Sequence, residues 1–446
     1  MSNDLHIAVI GGGISGLAAA HAAIEAGARV TLFEAADRLG GMILTTPFAG
    51  RPAIDEGADA FLARVPWAVE LARKVSLADS LTSPRVGKAA VFWNRLHEIP
   101  EGLLLGLPTD IGALARSRLL STGGKIRAGA EVLIPRTDPA PDSIGNYVRS
   151  RFGRQVHERL VDPLIGSIYA ADTDDFSLVA VPQLAELAVR SRSVLLAARH
   201  RSTPPTGPVF YAPREGVGQL VQAVSAAVVA RGGNVRCSEA VNELAVDGTM
   251  WRVDDAPFDA VVLACPSRVA AGLLATIEPE VSGTLARVPT ADVALLTLAV
   301  PANGWPTRLQ NLSGYLVPKP QQRLVTAVSF GSQKWAHWAS DDDVILRVSL
   351  GRDGLAALHL SDDELLADVV DELNGHLGID LQPTAVRVSR WPNAFPQYRP
   401  HHANRIAAAE ENLPPGIALA GASYHGIGIP ACVQSGRRAA GALLQR

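Results

Sequence analysis

The chain has 446 residues, of which 48% are hydrophobic and 19% charged, with a net charge of −3 and a pI near 6.4. That length exceeds one ordinary core, so two or three domains are expected, and a chain so near neutrality has no field with which to gather nucleic acid. Three cysteines, Cys237, Cys265 and Cys432, stand far apart and fit neither a disulfide framework nor a zinc site, which points to a reducing cytoplasm and to no metal. The opening MSNDLHIAVI runs into a core strand without a basic leader, and the longest apolar stretch, Val293 to Val300, is too short to span a bilayer.

In chain order, the apolar strand HIAVI leads into GGGISG, comprising Gly11, Gly12, Gly13, Ile14, Ser15 and Gly16. A helix and a second strand, RVTLF, follow and end on Glu34. Gly11 permits a tight strand-to-helix turn, Gly13 lets backbone approach a pyrophosphate, and Gly16 lets the helix pack on the strand. The helix start offers free N–H groups to the phosphates. Glu34 is positioned to accept hydrogen bonds from the adenosine ribose and disfavours a 2′-phosphate. These residues describe a dinucleotide cradle and leave NAD and FAD open. Glu34 also begins EAADRLGG, in which Arg38, Gly40 and Gly41 can extend the phosphate contact.

Residues 85–200 read as largely helical, with Arg-rich amphipathic stretches. RSTPPTGP, 201–208, reads as a linker. Beyond it, Gln219 to Ala230 reads as a helix ended by Gly232 and Gly233, NVRCSEAVNELAV and MWRVDD as strands about a turn at Asp247-Gly248, and FDAVVLACP as a buried strand returning to the cofactor sheet. Residues 285–385 carry strands such as ADVALLTLAV and DVILRVSL and then the helix DDELLADVVDELNGHLG. Near the end, IALAG is a strand, and GIGIPACVQSGRRAAGALLQ loops into a helix with Pro430 in its first turn. There are no internal repeats.

The E-x-x-x-R-x-G-G extension resembles that of the flavin-dependent monoamine oxidases, phytoene desaturases and protoporphyrinogen oxidases, which favours FAD. More specific strings resemble the protoporphyrinogen oxidase family, in particular its soluble, coproporphyrin-forming type from Gram-positive bacteria. They are EGADAFL, RLHEIPEGLLLGLPT, DPLIGSIYAAD, APREGVGQL, KWAHW, RWPNAFPQY and GASYHGIGIPACVQSG, and they extend along essentially the whole chain. The resemblance implies an α/β fold: a Rossmann-like FAD-binding domain of the amine oxidase type, with an inserted mixed-sheet substrate domain and a helical domain. The cofactor domain is expected at 1–84, 205–268 and 388–446, the helical insert at 85–204 and the sheet domain at 269–387.

By the same resemblance, FAD contacts fall on Gly11 to Gly16, Glu34, Ala35, Met42, Glu56, Gly57, Ala58, Asp59, Val241, Trp391, Ile427, Gly428 and Ile429, and the motif itself adds Arg38 and Gly41. Many relatives have Lys or Arg where this chain has Met42, so contact there falls to backbone, as it does at Glu56. The helix beginning near Pro430 would direct its positive end at the flavin ring. The implied reaction takes coproporphyrinogen III to coproporphyrin III in heme biosynthesis, by three hydride transfers to flavin N5, with oxygen reduced to hydrogen peroxide. Pyrrole N–H groups lose their own protons, so no catalytic acid or base is required and none stands out.

Ile168 and Tyr169 are read as an apolar wall for the macrocycle, and Arg64 as a partner for a propionate carboxylate. Arg149, Arg151 and Arg154 are further cations for propionates, and Tyr398 and His425 are secondary candidates. Cys432, inside a helix start, reads as packing, so FAD is expected to be noncovalent. Protoporphyrinogen IX as substrate, another amine oxidase or desaturase, and a non-catalytic flavin-fold binding module are the alternatives. Peripheral membrane contact and a transient contact with the next heme-pathway enzyme stay open.

Overall fold

Residues 5–33 fold as their glycine punctuation dictates: strand His6–Ile10, helix Ile14–Glu25 and strand Arg29–Phe33, with the two strands paired in parallel. The computed structural model describes residues 5–85, 87–100, 103–137, 142–190, 192–199 and 207–445, so most of the linker read at 201–208 lies outside the described residues. Contacts group the chain into two compact units. One comprises Met1–Ser83, Gly207–Pro289 and Ala403–Arg446, and the other Pro84–Thr206 and Thr290–His402.

The first unit is built on a five-stranded sheet in the order Asn234–Arg236, Arg29–Phe33, His6–Ile10, Ala260–Leu263, Ile417–Leu419, every neighbouring pair parallel. Alternate residues feed two cores. Ile7, Val9, Leu32 and Val262 pack under the helices Ile14–Glu25, Gly218–Ala230 and Ile429–Leu444. Ala8, Ile10, Val261 and Leu263 pack against the meander Leu244–Asp247, Met250–Val253, Ala256–Phe258 and the helices Ser267–Leu274 and Pro279–Ala286. Burial on both faces is why these strands read as unbroken apolar runs. NVRCSEAVNELAV is not one strand: Asn234–Arg236 ends before an irregular stretch in which Ser238 has φ +57°, and pairing resumes at Leu244.

The second unit contains a seven-stranded mixed sheet in the order Ala385–Pro396, Thr290–Pro301, Asp343–Leu350, Val325–Phe330, Leu312–Leu316, Lys88–Phe92, Leu96–Glu98. Leu296, Leu298, Leu346 and Val348 face the helix Asp362–Leu377 through Leu365, Val369 and Leu373. Ser361 caps that helix and Glu364 returns the bond in a capping box. Ser361→Ala is expected to cost about 1 kcal/mol in a denaturant melt.

Several sequence boundaries shift for physical reasons. The strand Lys88–Phe92, within the stretch read as helical, is recruited by parallel pairing to Leu312–Leu316. Residues 388–402, read with the cofactor domain, sit in the second unit because Ala385–Pro396 pairs along Thr290–Pro301. Conversely, 269–289 belongs to the first unit through the two helices packed on its sheet.

Candidate functional site

The Gly-rich turn lies at the carboxyl edge of the parallel sheet. Gly11 has φ +111°, and a Cβ there would meet Ala264 O at 2.6 Å. At Gly16 a Cβ would lie 1.9 Å from Gly11 O, so the helix can approach the turn only as glycine. Gly13 differs: a Cβ there would meet nothing within 4 Å, which is the open approach that a pyrophosphate requires. Residues 37–42 lie against this turn. Gly40 N–H donates to Gly12 O at 2.9 Å, and Gly13 bridges to Gly40. Arg38 donates to Ile43 O at 3.1 Å and Gly41 O at 2.8 Å, which commits much of its guanidinium to holding the loop.

Glu34 accepts from Gly12 N–H at 2.7 Å and Ala36 N–H at 2.8 Å, and so ties the second strand to the turn. A carboxylate has roughly four acceptor positions, so capacity for two ribose hydroxyls remains. Ala35 and Met42 are exposed, and Val241 is half-buried against the second core.

The helix starts Ile14–Glu25 and Ile429–Leu444 have no side-chain cap and no acidic residue in the first turn. They adjoin each other: a Cβ at Gly436 would meet Ser15 O at 2.1 Å, and Ser15 hydrogen-bonds the Cys432 thiol. Two uncapped positive helix ends are thus brought together. By contrast, the start of Gly218–Ala230, in the string APREGVGQL, is already satisfied. Buried Asp55 accepts from Val217 N–H at 2.9 Å and from the Thr45 hydroxyl, while Thr45 Oγ1 accepts from Gly218 N–H at 2.9 Å. Asp55 and Thr45 were not singled out from sequence. Their neighbour Glu56 accepts from the Thr46 hydroxyl at 2.6 Å and anchors its backbone on Leu44 O, leaving Gly57, Ala58 and Asp59 as the loop beyond. Ile427, Gly428 (φ +104°) and Ile429 form the entry to the last helix. Burial pushes the Cys432 thiol up and the Cys265 thiol to about 12. Arg64 is exposed in the first unit.

In the second unit, Ile168 and Tyr169 close the helix Asp162–Tyr169, with Ile168 45% exposed. This helix end is held by buried groups that sequence reasoning passed over. Asp162, 2% exposed, accepts from Arg352 at 2.9 and 3.2 Å and from the Thr173 hydroxyl at 2.7 Å, while Arg352 also donates to Ala171 O. Burial raises the Asp162 pKa, but the charge and hydrogen bonds of Arg352 outweigh it and hold the carboxyl below its ordinary range. Fully buried Gln397 donates to the carbonyls of Tyr169 and Ala170, the latter in a left-handed turn at φ +47°. The signal available in sequence was an acid placed directly before Pro163 in an apolar string.

The Tyr169 ring meets Phe176 at 5.1 Å; Phe176 stacks on Tyr398, and Tyr398 on His402. Tyr398 is buried in that stack. Trp391 lies opposite Val293 in the second unit's sheet. The three arginines read together from sequence have different fates. Arg151 is 1% exposed and paired with equally buried Glu131, so it is structural; Arg149 pairs with Asp174 and His157; Arg154 is exposed beside Glu158. His425 pairs with Glu410 at 2.6 Å. Among the described residues no cluster of His, Cys, Asp and Glu is placed to hold a metal, and no helix is long and apolar enough to cross a membrane.

A parallel sheet with a Gly-rich turn, an acid at the end of the second strand and two open helix ends is the arrangement found in dinucleotide-binding α/β proteins. The chain belongs to the family of flavin containing amine oxidoreductases, whose model matches residues 14–444, and it is a flavin-dependent oxidoreductase. It is 34% identical over 453 residues to the coproporphyrinogen III oxidase of Mycobacterium tuberculosis, covering 98% of this chain and 97% of that one. With the coproporphyrinogen III oxidase of Bacillus subtilis it shares 30% over 464 residues, covering 97% of each. A solved structure from Exiguobacterium sp. 255-15, provisionally described as a protoporphyrinogen oxidase, superposes with a TM-score of 0.87 at 30% identity, covering 100% of this chain and 99% of that one.

Proposed function

We propose that this protein oxidises coproporphyrinogen III to coproporphyrin III in the cytoplasm, as a step of heme biosynthesis, with noncovalently bound FAD. The observation that carries the reading is the near-full-length similarity to coproporphyrinogen III oxidases. FAD supplies a two-electron acceptor at N5 for three successive hydride transfers, with oxygen as final acceptor and hydrogen peroxide as product. The chain's own residues bind, orient and exclude water. The N–H groups of the turn Gly11 to Gly16 take the pyrophosphate, with Arg38, Gly41 and Met42 shaping its border, and Glu34 and Ala35 take the ribose. Glu56 to Asp59, Val241, Trp391 and Ile427 to Ile429 would complete the cofactor's surroundings, and the open start of Ile429–Leu444 would favour negative charge on a bound flavin ring. Ile168 and Tyr169 form the macrocycle wall, and Arg64 pairs with a propionate. No residue acts as acid or base.

The test is anaerobic flavin reduction by coproporphyrinogen III and protoporphyrinogen IX in parallel. Faster reduction by the four-propionate substrate supports the proposal; faster reduction by protoporphyrinogen moves the assignment to that substrate, and reduction by neither overturns it. For the cofactor site, Glu34→Ala is expected to weaken FAD binding at least tenfold, since a hydrogen-bonding charged group is worth about 1.5–3 kcal/mol; titration of apoprotein with FAD measures it.

A further inference from the structure

The second unit contains a cavity of about 320 Å³ whose lining side chains are all apolar, among them Val91, Pro100, Leu103, Leu105, Leu160 and Leu164. Its volume is at the lower end of small-ligand sites, room for part of a macrocycle. One wall is a tight hairpin in which Leu103–Leu104 pairs with Leu107–Pro108 around Leu105 (φ +49°) and Gly106 (φ +83°). Two successive positive φ values suit Asn-Gly or Gly-Gly. A leucine at the first of them is strained, and its side chain lines the cavity. Gly106 is the second constraint: a Cβ there would lie 2.5 Å from Leu160 O, in the π-helical turn His157–Val161. The adjoining wall is a stripe on one helical face. Leu160, Leu164 and Ile168 recur at i, i+4 spacing, and exposure rises from 4% at Leu160 to 45% at Ile168.

We infer that this cavity takes the apolar edge of the tetrapyrrole, a methyl-bearing pyrrole rim, while the carboxylate side chains stay outside it. The inference rests on the proposed function. The occupant follows from the lining, which offers no side-chain partner for a charge, and from the stripe that joins the cavity to Ile168 in the proposed macrocycle wall.

The experiment titrates coproporphyrin III into FAD-loaded wild type, Leu105→Gly and Leu164→Trp, with a thermal melt of each. Leu105→Gly removes a lining side chain and relieves the strained turn, so its Tm should hold or rise. Its coproporphyrin III Kd should rise about tenfold, the scale of a lost apolar contact in a pocket. Leu164→Trp fills the cavity and should raise Kd at least as much. If wild type binds coproporphyrin III and Leu105→Gly binds it equally well, the inference is overturned and the proposed function stands. If wild type binds no tetrapyrrole and no porphyrinogen reduces its flavin, the proposed function falls and takes this inference with it.

Discussion

Gly16→Val is expected to yield protein that purifies without yellow colour and binds FAD at least a hundredfold more weakly. The added Cβ would stand 1.9 Å from Gly11 O and 3.1 Å from Gly11 C, both backbone atoms that cannot rotate aside. Helix Ile14–Glu25 must tilt away from the turn, which removes its N–H groups from the phosphate position and costs about 1–3 kcal/mol of overpacking besides. A partner variant separates folding from binding. Gly13 has φ −67°, which any residue adopts, and open space where a Cβ would go. Gly13→Ala should therefore melt no lower than wild type, gaining roughly 0.4–1 kcal/mol through the unfolded chain, while losing FAD affinity because the methyl occupies the approach. Wild-type FAD affinity in Gly13→Ala would sink the placement of the pyrophosphate.

The second large effect is predicted at Arg352. Arg352→Leu strands the buried Asp162 carboxylate and is expected to cost about 3–5 kcal/mol at neutral pH, read from urea unfolding. Adding Asp162→Leu should recover most of that loss, because removing both charges removes the desolvation burden along with the attraction. The pH dependence has a definite sign. The folded Asp162 pKa lies below its unfolded value, so the pair's contribution is complete above the ordinary carboxylate pKa of about 3.9 and is lost as pH falls through the lower folded value. In Arg352→Leu, burial is opposed only by the Thr173 hydrogen bond and His157, so the Asp162 pKa rises and the variant protonates it at a higher pH than wild type does. Its deficit relative to wild type should narrow on acidification, and a deficit independent of pH would show that Asp162 is not the stranded charge. Because Arg352 also holds Ala171 O, two residues beyond Tyr169, the single variant should loosen Tyr169 as well.

What was legible in the sequence was local. The glycine spacing from Gly11 to Gly16 and the position of Glu34 sit within one strand-helix-strand unit, and their physical requirements are written into adjacent residues. Groups whose partners lie far along the chain were not legible. Asp55 meets Val217 across 162 positions and Asp162 meets Arg352 across 190, and nothing beside Asp55 announces a helix waiting to be capped. Arg149, Arg151 and Arg154 show the same limit. All three read as cations for propionates, yet the helix Ile144–Phe152 turns Arg151 into a core with Glu131, while Arg154, past Gly153, stands in solvent. Lys88–Phe92 was hidden because its strand character comes from an edge supplied more than two hundred positions later.

The parallel sheet of the first unit is assembled from three stretches of chain separated by the whole of the second unit. During synthesis, His6–Ile10 leaves the ribosome with one edge bare until Ala260–Leu263 is made, and the outer edge of Ala260–Leu263 then stays bare until Ile417–Leu419, with the helix Ile429–Leu444 following last. Nascent chains therefore carry an apolar, unpaired strand edge for most of translation, which makes this protein slow to complete and dependent on protection from aggregation while it is being built.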